Sequence, residues 1–323
     1  MSWVTTAMAG AAPPLAEDQQ ERAPIVAVVG PTATGKSDLA VALAQALDGE
    51  VVNADAMQLY RGLDVGTAKL TPAERAGVPH HLLDVLDVTE TASVAAYQRE
   101  ARAVVERLLA AGRTPVLAGG SGLYVQAVLD ELEFPGTDPV LRAELEDELA
   151  RHGPAALHAR LAVVDPAAAR DVLASNGRRI VRALEVVALT GRPFPARMPL
   201  GAVPRYGAVL LGVDRDTAEL DRRIGRRVSR MFAAGLVDET RSLLPGLRAG
   251  RTAARALGYQ QVLAALDGAG DMSGAAVATV RATRRFVRRQ RSWFRRDPRI
   301  RWLDGAAPDL AGCALRRLAA VGT

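Results

Sequence analysis

The octapeptide GPTATGKS, Gly30–Ser37, constrains the fold of this chain more than any other stretch of its sequence. It fits the pattern G-x-x-x-x-G-K-[ST] at every fixed position, between a short apolar run and a stretch with helical spacing of its apolar residues. In such a unit, N–H groups at the helix N-terminus point at a phosphate. The sequence therefore predicts a P-loop-type α/β fold with a diphosphate site at Gly30, Pro31, Thr32, Ala33, Thr34, Gly35, Lys36 and Ser37, in which the Ser37 hydroxyl is a ligand for Mg²⁺.

Strand-like and helical stretches alternate along much of the chain, which predicts an open parallel sheet with helices on its faces. Strands are expected at 23–30, at 50–55, within 113–124, at 206–215 and at 301–303. Helices are expected between them and after the fourth strand, including a long basic helix near 276–296.

The pattern changes after residue 133, where strand character disappears for about seventy residues. Asp-Pro pairs beginning at Asp138 and Asp165, with glycine stops at Gly153 and Gly191, predict successive helices. The expected organisation is a disordered extension at 1–23, a P-loop α/β core at 24–133 and 205–323, and an all-helical insertion domain at 134–204.

The positive charge of the chain is concentrated near its C-terminus. The segment 281–301 contains ten arginines and a single acid, Asp297. Like charges one helical turn apart repel each other, and binding to phosphates offsets that cost. This density predicts a nucleic-acid partner, with a solvated charged face as the alternative.

Two features of the composition narrow the class of protein. The single cysteine, Cys313, excludes an intramolecular disulfide and fits a reducing, cytoplasmic compartment. No apolar run reaches the roughly 18 residues of a transmembrane helix. We expect a cytoplasmic monomer that does not contact a membrane.

Polar side chains follow two of the predicted strands, at the edge of the sheet where the phosphate loop lies. Asp55 follows the second strand and could hold Mg²⁺ through water or accept a proton; a plain helix cap is the alternative. Ser121, in the turn AGGSGLY, could donate a hydrogen bond to a phosphate, although a tight turn alone requires glycine. This strand lacks the terminal aspartate of many NTPases, which weakens an NTPase interpretation.

A later amphipathic helix carries Arg223 and Arg227 four residues apart, on one face, while Ile224 and Val228 lie on its apolar side. These arginines could clamp a diphosphate, or they could form a solvated charged face. The sequence of this helix leaves both interpretations open.

Eight motifs together resemble the tRNA dimethylallyltransferases, also called isopentenyl-pyrophosphate:tRNA transferases or the IPP transferase family. In order they are GPTATGKS, ADAMQLYRGLDVGTAK, PHHLLDV, GGSGLY, RRIVRALEV, RIGRRVSRMFAAGLVDE, ALGYQQ and RRQRSWFRR. The resemblance extends from about Ile25 to Leu303. The phosphate loop alone is a weak signal, whereas the ordered set is specific.

The resemblance implies that a dimethylallyl group moves from dimethylallyl diphosphate to N6 of the adenosine that is 3′-adjacent to the tRNA anticodon. It also implies that the phosphate loop holds the prenyl diphosphate and that the insertion holds the anticodon arm. Asp55 matches the general base of the family. The implied groups around the leaving diphosphate are Lys36, Ser37 with Mg²⁺, Ser121 and Arg223.

Matching motifs also imply a set of tRNA-binding residues. They are Asp55, Ala56, Met57, Gln58, Ser121, Arg142, Arg178, Arg179, Ile180, Val181, Arg182, Arg255, Ala256, Leu257, Gly258, Tyr259, Gln260, Arg288, Arg289, Gln290, Arg291, Ser292, Trp293, Phe294 and Arg295. Ala56 departs from the serine that is usual in the family, which removes a hydroxyl next to Asp55.

Three other activities remain open at this point. A small-molecule or nucleotide kinase would explain the phosphate loop and Arg223, but not the basic helix. A relative that prenylates free adenine nucleotides would not need the insertion. A non-catalytic RNA-binding module would not need Asp55.

Overall fold

Six parallel strands form one sheet in the computed structural model, which describes residues 25–195 and 203–320. They are β1 (Val26–Val29), β2 (Gly49–Asn53), β3 (His80–His81), β4 (Thr114–Gly119), β5 (Val209–Asp214) and β6 (Arg301–Asp304). Their spatial order is β3-β2-β4-β1-β5-β6, which places β1 between β4 and β5. The predicted parallel α/β core is confirmed, while the extension predicted at 1–23 lies outside the described residues.

Twelve α-helices accompany the sheet in the described part of the chain. They are α1 (Lys36–Ala46), α2 (Val94–Ala110), α3 (Gly122–Leu129), α4 (Pro139–Val164), α5 (Pro166–Asp171), α6 (Gly177–Thr190), α7 (Thr217–Ala233), α8 (Leu236–Ser242), α9 (Leu244–Ala249), α10 (Tyr259–Leu266), α11 (Met272–Phe294) and α12 (Leu310–Ala319). None of those helices is both long enough and apolar enough to cross a bilayer.

Helices cover both faces of the sheet, as its apolar strands require. Val26 and Val28 of β1 pack with residues of α1 and α12, whereas Ala27 and Val29 pack with residues of α2 and α3. All four side chains are fully buried. The end of β1, where the phosphate loop begins, is therefore fixed at the centre of the sheet.

The helical character predicted after β4 is confirmed for α4, α5 and α6. The Asp138 side chain accepts hydrogen bonds from the first N–H groups of α4, and Gly153 interrupts that helix at φ +76°. These helices share their own apolar cluster, which includes Leu157, Leu161 and Ile180. The domain boundaries at 134 and 204 stay a prediction.

The edge strand β3 consists of two histidines that bond within the chain. His80 Nδ1 lies 2.9 Å from Val78 O, and His81 Nε2 lies 2.6 Å from Glu50 Oε2. Across the described ranges, no group of three or more His, Cys, Asp or Glu side chains is placed to hold a metal ion. Each of the two histidines therefore has a partner within the chain, and both pair with β2 at the edge of the sheet.

Candidate active site

The phosphate loop is held by hydrogen bonds to its carbonyl oxygens. Thr34 Oγ1 donates to Pro31 O at 2.9 Å. Arg223 Nε donates to Ala33 O at 2.8 Å, and Arg215 Nε donates to Thr34 O at 3.0 Å. Ala33 itself has a φ of +66°, an uncommon conformation for a non-glycine residue that often occurs at functional sites. One hydrogen bond within the loop and two from arginines outside it therefore hold the conformation of the loop.

The N–H groups at the start of α1 are left for a ligand. The cap residue Gly35 has a φ of +103°, and α1 has no side-chain cap. Within the described residues, the N–H groups of Thr34, Gly35, Lys36 and Ser37 have no hydrogen-bond acceptor. A helix N-terminus with free N–H groups favours an anion, and a phosphate fits that geometry.

A cavity of about 630 Å³ opens over this loop. Asp55 and Gln58 line one part of it, and four arginines of α7 line another: Arg223, Arg226, Arg227 and Arg230. No carboxylate of the described residues lies within 4 Å of these guanidinium groups or of Lys36 Nζ. Such an excess of unpaired cations favours a ligand with several negative charges.

Burial makes two of these cations costly to maintain. It lowers the pKa of Lys36 to about 7, with a further lowering by Arg227 and opposing contributions from Asp55 and Asp214. Burial also lowers the pKa of Arg227, and Asp55 again opposes the shift. Asp55 is therefore close enough to act on both cations, and a bound anion would stabilise their charged forms.

A hydrogen-bonded turn orients Asp55. Asn53 Oδ1 accepts from Asp55 N at 2.9 Å, while Asn53 Nδ2 donates to Leu82 O at the same distance. Asp55 Oδ1 accepts from Met57 N at 2.9 Å, which leaves the second carboxylate oxygen open to a ligand in the cavity. No helix begins here in the structure, so the helix-cap alternative is wrong.

The glycine-rich turn after β4 stands between the phosphate loop and the Asp55 segment. Gly119 and Gly120 line the cavity, whereas Ser121 does not. Ser121 Oγ accepts from Ala56 N at 3.2 Å, so its own proton remains free to donate. Ser121 thus supports the segment that carries Asp55, and its contact with a diphosphate stays a prediction.

Three arginines predicted to bind tRNA come together from distant parts of the sequence. Burial lowers the pKa of Arg178, and the charges of Arg255, Arg142 and Arg251 lower it further. These residues belong to the α4–α6 region and to the segment before α10. Arg142 is paired with Glu185 and Arg251 with Glu146. Arg178 and Arg255 are therefore the members without an acidic partner among the described residues. Such cations on separate elements favour a polyanion that spans them.

Exposed residues of α11 and of the two positions that follow it form a second basic surface. Arg288, Arg289 and Ser292 are exposed, as are Arg281, Arg285, Arg295 and Arg296. Phosphate contacts from such a face position a nucleic acid without reading its sequence.

We expect Arg288→Ala to weaken tRNA binding because one phosphate contact is lost. The slope of log K against log salt should become shallower by about one unit. Fluorescence anisotropy at several salt concentrations measures both quantities. Arg316→Ala, on α12, removes an exposed arginine away from this surface and should leave the slope unchanged; a wild-type slope for Arg288→Ala contradicts the contact.

Other members of the predicted tRNA-binding set are buried in the chain itself. At most 5% of each side chain is exposed for Ile180, Val181, Ala256, Tyr259, Gln290 and Phe294. Tyr259 bonds to Glu239 and Gly66, and Gln290 bonds to Thr32 and Gly120. For these side chains the prediction of direct RNA contact is corrected, because their surfaces are already covered.

Arg291 and Arg182 also bond within the chain. Arg291 contacts both carboxylate oxygens of Asp214 at 2.8 to 3.0 Å and donates to Arg215 O at 2.6 Å. Arg182 bonds to Glu185 and to Pro135 O, and Arg142 bonds to the same glutamate. Arg291 is thus corrected to a structural residue, while Arg142 and Arg182 hold the fully buried Glu185.

We expect Arg291→Ala to destabilise the fold because the mostly buried Asp214 loses its closest charged partner and keeps only Arg215 N and the more distant Arg295 guanidinium. Loss of hydrogen bonds to a charged group lowers the free energy of unfolding by about 1 to 3 kcal/mol. Denaturant unfolding measures this change. Arg288→Ala is the matched control and should unfold like the wild type; equal stability of both variants contradicts the structural role of Arg291.

The site residues predicted from the sequence omit several groups that the structure places at the cavity. Arg226 and Arg230 line it beside Arg223 and Arg227, and Asn53 holds the turn of Asp55. The spacing of the arginines, at i, i+3, i+4 and i+7 on one helix, is the signal that identifies this face. No local pattern marks Asn53, which acts through the tertiary contact to Leu82.

Comparisons with known proteins identify the family to which the chain is similar. A family model described as IPP transferase matches residues 58–297. The tRNA dimethylallyltransferase of Saccharopolyspora erythraea is 70% identical over 289 residues, which cover 89% of this chain and 93% of that protein. The corresponding protein of Streptomyces avermitilis is 67% identical over 287 residues, with 88% and 92% covered.

Solved structures show the same fold. The full-length tRNA isopentenylpyrophosphate transferase of Bacillus halodurans matches with a TM-score of 0.69 and 38% identity, covering 93% of this chain and 97% of that one. A eukaryotic dimethylallyltransferase that acts on tRNA matches with a TM-score of 0.76 and 22% identity, covering 92% and 78%. The latter likeness concerns the fold alone.

Proposed function

The chain belongs to the IPP transferase family, and from this membership we propose that it transfers a dimethylallyl group from dimethylallyl diphosphate to tRNA. The acceptor that we assign is N6 of the adenosine 3′-adjacent to the anticodon. The observation that carries this proposal is a single cavity in which free loop N–H groups and unpaired cations lie on one side and the Asp55 carboxylate lies on the other.

The two sides of the cavity suit the two halves of the reaction. The C1–O bond of the prenyl diphosphate breaks, and its electron pair leaves with the diphosphate. N6 forms the new bond to C1 and gives its proton to the open oxygen of Asp55. The adenine N6 lone pair is delocalised into the ring, so a nearby base and stabilisation of the leaving group are both needed.

Lys36 and the α7 arginines supply the stabilisation on the diphosphate side. Negative charge on the diphosphate grows as the C1–O bond breaks, and fixed cations in a partly desolvated site act most strongly on growing charge. Arg223 also holds Ala33 O, so it shapes the loop as well as the field in the cavity.

The residues around the loop fit Mg²⁺. Ser37 is exposed in the first turn of α1, and its hydroxyl makes no hydrogen bond within the described ranges. A hydroxyl oxygen together with diphosphate oxygens matches the oxygen ligands that Mg²⁺ prefers. When bound, the ion would neutralise part of the charge of the diphosphate.

The basic surfaces support tRNA as the acceptor. Arg178, Arg255 and the exposed arginines of the α11 face supply more positive charge than a small ligand requires. An unpaired loop base can be drawn into a cavity and read on its edges, and Gln58 offers an amide there. We propose that the protein acts as a monomer in the cytoplasm. Both tRNA and a reduced Cys313 are expected in that compartment.

Labelled substrates separate this function from a kinase. We expect purified protein with Mg²⁺, labelled dimethylallyl diphosphate and bulk tRNA to yield N6-dimethylallyladenosine after digestion of the RNA. With γ-labelled ATP, no label should reach any acceptor. Transfer of the γ-phosphate without prenylation contradicts the proposal, and prenylation of free adenine nucleotides alone contradicts the assigned acceptor.

A further inference from the structure

A buried glutamine of α11 joins two loops of the active site. Gln290 Oε1 accepts from Thr32 N of the phosphate loop at 3.0 Å. Its Nε2 donates to Gly120 O, in the turn after β4, at 2.9 Å. Gln290 is only 5% exposed and contributes a small part of the cavity lining, and both ends of its amide are bonded to backbone groups.

The absence of a side chain at the glycines of the turn allows neighbouring residues to pack directly against its backbone. A Cβ on Gly120 would overlap Gln290 Nε2, and a Cβ on Gly122 would overlap the Trp293 ring. A Cβ on Gly119 would overlap Ala54 O, just before Asp55. The turn therefore touches α11 on one side and the Asp55 segment on the other.

These contacts follow the order of the strands. β4 lies between β1, which ends in the phosphate loop, and β2, which precedes Asp55. The turn after β4 is consequently the element between the leaving group and the base. Gln290 links this turn to the phosphate loop, and Ser121 Oγ links it to Ala56 N beside Asp55.

We propose that Gln290 is a positioning residue for transfer, one that sets the separation between the phosphate loop and the turn that supports Asp55. The proposal rests on the proposed function, because it concerns the geometry of prenyl donor and adenine acceptor. Reaction within a bound complex depends steeply on that geometry, and a displacement of about 1 Å can cost about 100-fold in rate. Both hydrogen bonds of the Gln290 amide go to backbone groups of the two loops, so we assign its effect on transfer to the placement of those loops.

Gln290→Met tests the bridge, since methionine keeps the length and approximate volume of the side chain and removes both hydrogen bonds. We expect kcat for prenyl transfer to tRNA to fall by about 10- to 100-fold. KM for dimethylallyl diphosphate and the Kd for tRNA should each stay within about threefold of wild type. Single-turnover kinetics and filter binding measure these values.

A second variant, Gln290→Glu, changes the same contact, and a control variant, Thr283→Val, lies on the same helix. Gln290→Glu keeps an acceptor for Thr32 N but sets a carboxylate oxygen against Gly120 O and adds a negative charge beside the diphosphate site. Its kcat should therefore fall at least as far as that of Gln290→Met. This variant also keeps the test available if Gln290→Met does not fold. Thr283→Val removes a buried hydrogen bond that stays within α11, to Thr279 O, and should leave kcat unchanged.

Two outcomes overturn the proposal. One is a folded Gln290→Met or Gln290→Glu protein with wild-type kcat. The other is a loss that lies entirely in the Kd for tRNA, which would make Gln290 an RNA contact or a merely structural residue. Failure of the proposed function has a different signature, because wild-type protein would then show no prenyl transfer at all.

Discussion

Asp55→Asn is expected to lower kcat for prenyl transfer by about 10³-fold, within the range for loss of a general base. An asparagine keeps an oxygen that can accept from Met57 N, as Asp55 Oδ1 does, so the turn should persist. What is lost is the carboxylate oxygen that can accept the N6 proton. The Kd for tRNA should stay within about threefold of wild type, because Asp55 is assigned to the chemical step.

Glu74→Gln is the matched control for Asp55→Asn. Glu74 is another carboxylate that lines the cavity, and it bonds to Thr71 N and Thr71 Oγ1. Its loss should change kcat by less than about threefold. A fall in tRNA affinity with transfer retained in Asp55→Asn would remove Asp55 from the role of base.

Lys36→Met is expected to lower kcat by about 10²- to 10³-fold, the usual effect of losing one fixed donor to a developing anion. Lys36 donates to Pro31 O in the loop and is held beside the free N–H groups of α1. Arg222→Met is the control, because Arg222 lies on α7 outside the cavity lining and carries the same charge. A Lys36→Met enzyme with wild-type kcat would show that the ammonium does not stabilise the leaving group.

The lowered pKa of Lys36 gives a second readout for the same variant. With a pKa of about 7, Lys36 is mostly neutral at about pH 8 in the free protein, and a bound diphosphate favours its charged form. Binding of pyrophosphate should therefore take up most of one proton near that pH and weaken as the pH rises. Calorimetry in buffers of different ionisation enthalpy measures the proton uptake. The Lys36→Met variant should lose the proton uptake that Lys36 contributes.

Local sequence patterns were sufficient to predict the central strand, the phosphate loop and the position of Asp55. The loop motif specifies glycine at Gly30 and Gly35, where the backbone has positive φ, and a strand must precede it. Asp-Pro and glycine signals likewise marked the start of α4 at Asp138, its interruption at Gly153 and the end of α6 at Gly191. Such signals depend on neighbours in the sequence, which is why they can be read without a structure.

The roles of residues along α11 could not be predicted in the same way. Arg288, Gln290 and Arg291 are close in sequence and share one motif, yet the first is exposed, the second bridges two loops and the third binds Asp214. Their partners lie far away in the sequence. The helical pattern therefore predicts which face of α11 each side chain lies on, but not which residue it contacts. Which arginines remain available to RNA depends on their ion pairs and hydrogen bonds with residues distant in the sequence, and not on the composition of the helix.

A crystal structure with an anticodon stem-loop and an unreactive thio analogue of dimethylallyl diphosphate tests the shared cavity most directly. We expect the diphosphate to accept hydrogen bonds from the N–H groups at the start of α1, and adenine N6 to lie about 3 Å from the Asp55 carboxylate. A diphosphate bound away from the loop, or an adenine whose N6 lies beyond the reach of Asp55, would contradict this arrangement.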